Sequence, residues 1–269
     1  MVTVQPADVA YRRLYYYLHK LVDQAIARIL DSLETSGLAE NTSIVFTSDH
    51  GDLLGAHGGL QQKWCSAFDE AIRVPLLVSG PGIEPREGGI TIPTSHVDLL
   101  PTLLGLAGID VDGAAAAIQA THSEVHPLPG RNLSALLTGQ ASEAELAQPI
   151  YFMTEDDVSR GSHQINLFSG KPYGAVPEPS NIEAVITPLP TGSGGAPQLW
   201  KLNHYYAPGD PATEPLTPGP EPVFELHNLS TDPEERHNQA NEATEVLAQL
   251  QALLVAERHA KRRQPRQPH

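Results

Sequence analysis

Residues 43–64 read SIVFTSDHGDLLGAHGGLQQKW. The opening Ser43-Ile44-Val45-Phe46-Thr47 is a short β-branched run and predicts a buried strand. Before it, residues 8–36 predict an amphipathic helix. Apolar side chains fall at Tyr11, Leu14, Tyr15, Leu18, Leu21, Val22, Ala25, Ile26, Ile29, Leu30 and Leu33, close to i, i+3, i+4, i+7 spacing. Gly37 supplies a C-terminal stop. Helix, short loop and buried strand make half of an α/β unit.

Further along, Val74-Pro75-Leu76-Leu77-Val78 predicts a second buried strand, ended by Pro81-Gly82. Residues 96–108 predict a helix, with Asp98 as N-cap and Pro101 in the first turn. Residues 110–130 read as an Ala- and His-containing loop, and 131–138 as a short helix. Strands are predicted at 150–153, 182–187 and 198–206, and a last helix at 241–259. Residues 169–222 carry most of the Pro and Gly, and the chain ends in the basic tail KRRQPRQPH. Composition shifts near 110–150, so a division into residues 1–150 and 151–269 is expected.

The composition narrows the partners. The chain has 269 residues, 40% of them hydrophobic, which is enough for a real core. Net charge is −15, which argues against nucleic acid or an anionic membrane as main partner, because phosphate binding needs cationic surface. A single Cys excludes an intrachain disulfide framework and a four-Cys zinc site. No run of about 18 apolar residues is present to span a membrane. The opening MVTVQPADVAYRR lacks a basic stretch followed by an apolar one, and localisation is left open.

The chemistry concentrates in residues 47–64, at the C-terminal end of the first strand, where α/β sheets place ligands. Asp49 offers a hard anionic oxygen and His50 an imidazole nitrogen, a pair suited to a divalent metal. Glycines at 51, 55, 58 and 59 permit the backbone to turn there. Lys63 supplies a movable positive charge for an anionic oxygen. An ordinary turn, with Asp49 bonded to backbone amides and His50 exposed, is the alternative that spacing leaves open. Taken singly, His57 and Lys63 read as solvated or structural, Trp64 as packing and Cys65 as a small, partly buried residue. Glu70 and Arg73, three apart before the second strand, are expected to pair with each other or to be solvated.

SIVFTSDHGDLLGAHGG with its following Lys, then DEAIRVPLLVSGPG at 69–82, resembles the middle of a sulfatase of the alkaline phosphatase superfamily. SHVDLLPTLLGLAGI at 95–109, LWKLNHYY at 199–206 and FELHNLSTDPEERHNQA at 224–240 resemble later family segments, in the same order. The resemblance covers most of residues 8–257. It implies an α/β fold with part of a mixed sheet flanked by helices, then a small antiparallel C-terminal sheet and helix. It also implies a divalent cation, usually Ca2+, beneath a reacting sulfate. Asp49 and His50 stand where two metal ligands stand, and Lys63 where a Lys contacts sulfate oxygens. His57 lies near that site without an assigned role. The stretch from His57 to Lys63 is one residue longer than in common members.

Family members also begin with a strand bearing two further acidic ligands, followed by a nucleophile in a C/S-x-P-x-R context. Here the Cys reads Cys65-Ser66-Ala67-Phe68-Asp69, without that Pro or Arg, and no Ser or Thr supplies the motif. The expectation is therefore a C-terminal sulfatase portion whose partner is the N-terminal half. Its substrate would be a sulfate ester, and it would be inactive alone. Two other readings stay open: a phosphate or phosphonate monoester hydrolase of the same superfamily, and a non-catalytic remnant that binds an anion or a partner chain.

Overall fold

The computed structural model describes residues 6–60, 62–63, 66–122, 125–154, 165, 170, 181–191, 195–206 and 223–262. Trp64, Cys65 and the tail from 263 lie outside the described residues. Two compact units result. The first comprises Met1–Trp64, Glu70–Thr91 and Asp98–Leu146; the second comprises Cys65–Asp69, Ile92–Val97 and Ala147–His269.

In the first unit, α1 (Pro6–Thr35) leads through a short 3-10 turn into β1 (Ile44–Thr47). One distorted turn, α2 (Ala56–Gly59), and the short α3 (Asp69–Ile72) precede β2 (Leu76–Ser79). The two strands pair antiparallel, with Val45 opposite Val78 and Phe46 opposite Leu77. Gly80 closes the ribbon: its φ is +141°, and a Cβ there would come 2.7 Å from Ser43 Cα. Both strands were expected to be buried, yet Phe46 is 40% and Leu77 64% exposed. The physical reason is that the pair has one covered face, and Phe46 and Leu77 share the other. Along α1 a single stripe including Tyr11, Tyr15, Ala25, Ile26 and Leu33 is partly covered. Leu14, Tyr16, Tyr17, Leu18 and Ile29 are exposed.

Next come α4 (Leu99–Leu106), α5 (Val111–Gln119), α6 (Ser134–Leu137) and α7 (Glu143–Leu146). Two expectations need correction. Residues 111–119 are helical rather than loop. Four consecutive alanines, 114–117, are the strongest helix formers, and the Asp110 carboxylate caps the start by accepting from Gly113 N–H at 2.9 Å. Asp98 stands at the N-cap position of α4 but makes no side-chain cap. Its carboxylate is buried and turned to Arg131, with Nη2 to Oδ2 at 2.6 Å and the Arg131 backbone N–H to Oδ1 at 2.7 Å. Arg131 Nη1 also donates to the Leu146 carbonyl at 2.8 Å. A bidentate charged acceptor outcompetes a single cap bond. Thr102 on α4 accepts from Leu133 N–H at 2.9 Å, so α4 and the segment before α6 are tied twice.

The second unit holds a four-stranded antiparallel meander, β3 (Ile150–Thr154), β4 (Asn181–Thr191), β5 (Gly195–Tyr206) and β6 (Val223–Asn228), followed by α8 (Thr244–Lys261). Alternation along the strands makes two different faces. On one, Val185, Leu202 and Leu226 stand in register across three strands and pack with Leu250 and Leu254 of α8. Glu183, fully buried, ties that helix down by accepting from Arg258 Nε at 2.8 Å. On the other face Ile182 and Ala184 pack with Ala67. There the fully buried Lys201 donates to Ala67 O and Asp69 Oδ1, both at 2.8 Å, and pairs with Glu235 at 2.6 Å. Among the described residues no single helix is long and apolar enough to cross a membrane.

Two predictions follow from this packing. Arg131→Ala removes the guanidinium that neutralises the buried Asp98 carboxylate and should lower stability by about 3–5 kcal/mol, read from urea unfolding. An Asp98→Leu, Arg131→Met double variant should recover much of that loss. His204 stacks on Phe224 at 4.7 Å, and burial, with the Arg258 charge adding, pushes its imidazole from 6.5 down to about 4. The fold thus favours the neutral ring, and the unfolded chain binds the extra proton between those two values. Stability should fall as pH is lowered through that window. His204→Phe should flatten this dependence when urea midpoints are compared at about pH 7 and about pH 4.5.

Candidate functional site

The site is built on the exit from β1. Asp49 Oδ1 accepts from the His50 backbone N–H at 2.9 Å, so the turn-type contact that spacing left open is present. It leaves the other carboxylate oxygen available: Asp49 Oδ2 lies 3.4 Å from His50 Nε2. His50 Nδ1 lies 2.7 Å from the Gly51 carbonyl. A carbonyl accepts only, so in the neutral imidazole Nδ1 carries the proton and Nε2 presents its lone pair beside Oδ2. Two lone pairs 3.4 Å apart suit a shared cation at about 2.0–2.6 Å from each. Among the described residues no group of three or more His, Cys, Asp or Glu side chains gathers to hold a metal.

Gly51 explains why a glycine follows the pair. Its N–H donates to Ala71 O at 2.8 Å, and a Cβ there would meet the Glu70 carbonyl oxygen at 1.9 Å. The chain then loops out and returns at Gln62 and Lys63. Lys63 is half-buried. The Asp49 carboxyl is held below its ordinary range, first by the His50 backbone N–H, with the Lys63 charge adding. Lys63 therefore acts electrostatically on the same carboxylate that faces His50.

His57 belongs to a different arrangement. Its backbone is left-handed, at φ +47°, and its Nε2 lies 3.0 Å from Glu70 Oε2. Glu70, expected opposite Arg73, thus spends one carboxylate oxygen on His57. Sequence reasoning passed over Asp52. Oδ1 of this residue accepts from Leu54 N–H at 2.8 Å and Gln62 N–H at 3.1 Å, and Oδ2 accepts from the Tyr11 hydroxyl at 2.9 Å. The one sequence signal was an Asp two residues before a turn in a Gly-rich stretch, which favours an Asx turn.

Comparison with known proteins adds ancestry to this geometry. Residues 3–109 match the Sulfatase family. The chain is 36% identical over 129 residues to an ulvan-active sulfatase of Formosa agariphila, covering 47% of this chain and 25% of that protein. It is 27% identical over 241 residues to an arylsulfatase of Volvox carteri, covering 87% of this chain and 32% of that protein. The crystal structure of the phosphonate monoester hydrolase of Agrobacterium radiobacter superposes with a TM-score of 0.62 at 22% identity, over 94% of this chain and 42% of that one. The chain thus spans less than half the length of these relatives. The family match spans residues 3–109, with the Asp49–His50 segment inside it, and the likeness to the Volvox arylsulfatase extends into the second unit.

Proposed function

We propose that Asp49, His50 and Lys63 form part of the sulfate site of a metal-dependent sulfuric ester hydrolase. The observation that carries this is the convergence of Asp49 Oδ2 and His50 Nε2 at 3.4 Å, with Lys63 adding a small lowering influence on that carboxyl. The sulfatase match over residues 3–109 implies a divalent metal, and calcium is the ion we assign to it. When bound, that cation supplies positive charge for the ester's sulfate oxygens. Asp49 and His50 contribute two of its donors; the Gly51 carbonyl keeps the imidazole in the tautomer that can donate a lone pair. Lys63 neutralises sulfate oxygen charge as a point cation. The names of the matched relatives from Formosa and Volvox, a sulfatase and an arylsulfatase, favour sulfate over phosphonate. The likeness to the phosphonate hydrolase is one of fold.

Residues 1–269 contain no C/S-x-P-x-R nucleophile context, and covalent cleavage needs such a group. We assign residues 1–150 to the C-terminal part of the catalytic α/β domain and 151–269 to a small closing subdomain; the separation of compact units near Leu146 and Ala147 supports this. The exposed apolar pair Phe46 and Leu77 on the ribbon is suited to contact with a nucleophile-bearing sulfatase segment.

Two outcomes test the reading. Mn2+ used as a calcium stand-in should bind one site, seen by electron paramagnetic resonance. Asp49→Ala or His50→Ala should weaken it by about tenfold or more. Unchanged binding in both variants rejects the ligand assignment. The chain alone should not turn over an aryl sulfate, since losing a covalent nucleophile removes several orders of magnitude of rate. Adding a separately expressed family N-terminal half should yield metal-dependent turnover that Asp49→Ala abolishes. Hydrolysis of an aryl phosphonate in preference to the sulfate would select the other ester class. Anion binding without turnover in the reassembled protein would select a non-catalytic role.

A further inference from the structure

Asp52 occupies the neck of a closed loop. Its Oδ1 accepts from Leu54 N–H on the outgoing limb and from Gln62 N–H on the returning limb, the latter ten residues on from Asp52. Beside it Leu53 N–H donates to Gln62 O at 2.8 Å, and Gly55 N–H to Leu60 O at 2.7 Å. The two limbs are thus joined at 52–55 and 60–62. Asp49 and His50 lie just before the neck, and Lys63 is the first residue after it. The other carboxylate oxygen accepts from the Tyr11 hydroxyl at 2.9 Å, which fastens the neck to α1.

The loop is strained. Leu54, His57 and Gln62 have φ values of +47°, +47° and +61°. Side chains with a Cβ pay about 1–3 kcal/mol for such conformations, and they persist only where surrounding contacts over-determine them. Two contacts do so here: the Asp52 carboxylate at the neck, and the Glu70 carboxylate on His57 at 3.0 Å. A loop that merely connected two elements would have no need of three strained residues and a three-donor carboxylate.

We propose that Asp52, braced by Tyr11, is a positioning residue that sets where Lys63 stands relative to Asp49 and His50. It rests on the reading of those three residues as a metal and sulfate site. Asp52 touches neither metal nor anion. It acts by holding Gln62, whose neighbour is Lys63.

The test uses the full chain labelled with 13Cε-lysine. Lys63 is assigned through Lys63→Arg, the exposed Lys20 serves as the reference for a mobile side chain, and the buried Lys201 reports on folding. In the wild type the Lys63 signal should differ from that of Lys20 and broaden first among the lysines when Mn2+ is added. In Asp52→Ala it should move to the Lys20 position and lose that broadening, while Mn2+ affinity stays within about threefold and the Lys201 signal is unchanged. Asp52→Asn keeps an oxygen acceptor for Leu54 and Gln62 and should restore the Lys63 signal; Tyr11→Phe should shift it part of the way. A wild-type Lys63 signal that coincides with Lys20, or one unaltered by Asp52→Ala, overturns the proposal. Loss of the Lys201 signal in both Asp52→Ala and Tyr11→Phe would make Asp52 a general support of the fold and also overturn it. Should the wild type bind no Mn2+, the metal reading fails, while the metal-free comparison of Lys63 signals still decides the role of Asp52.

Discussion

The site depends on one backbone contact. Gly51 N–H donates to Ala71 O, and the chain comes so close there that a Cβ would sit 1.9 Å from the Glu70 carbonyl oxygen. No residue but glycine can be placed at that point without moving the backbone. The contact fixes the direction in which the chain leaves β1, and so orients Asp49 and His50. It also brings the 70–71 segment beside the start of the loop, where Glu70 can reach His57. The Asp-His-Gly order thus meets a steric requirement: Asp49 and His50 are followed by the residue whose absent side chain lets the backbone pass.

The two units are stabilised by different means. Within the first, the described fully buried apolar side chains are few: Leu53, Ala71, Leu133 and Leu136. Its described segments are instead joined by carboxylates that take several donors each. Asp52 gathers three, and Asp98 gathers the Arg131 guanidinium and backbone. Charge-assisted bonds of this kind are about twice as strong as neutral ones, but they define geometry only where the chain is already near. The second unit has one face sealed by α8 and an opposite face on which Ile182, Ala184 and Ala67 pack and Lys201 is fully enclosed. Burying an ammonium is tolerable there because Asp69, Glu235 and the Ala67 carbonyl surround it. Glu235 itself holds a left-handed backbone, at φ +50°, which places strain at a tie rather than at a free loop.

Residue types and periods alone determined much of this. The β-branched run at 43–47 and the apolar run at 74–78 mark strands found at Ile44–Thr47 and Leu76–Ser79. The i, i+3, i+4 pattern of α1 and the alternation in LWKLNHYY mark a helix and a strand, because those signals are local and repeat along the chain. Asp-His-Gly after a strand marked Asp49 and His50 as a candidate pair for the same reason: adjacent side chains need no distant contact to be recognised. Tertiary structure alone decided the rest. The burial of Phe46 and Leu77 was misjudged because a strand's period does not say whether both faces are covered. Asp98 was read as a cap because its partner lies 33 residues on, and local sequence cannot weigh a distant guanidinium against a near amide. His57 found Glu70, and Asp52 found Tyr11 and Gln62, across 13, 41 and 10 residues. A side chain's partner is set by where the backbone brings distant segments together, and that follows from the packing of the whole unit rather than from the residues beside it.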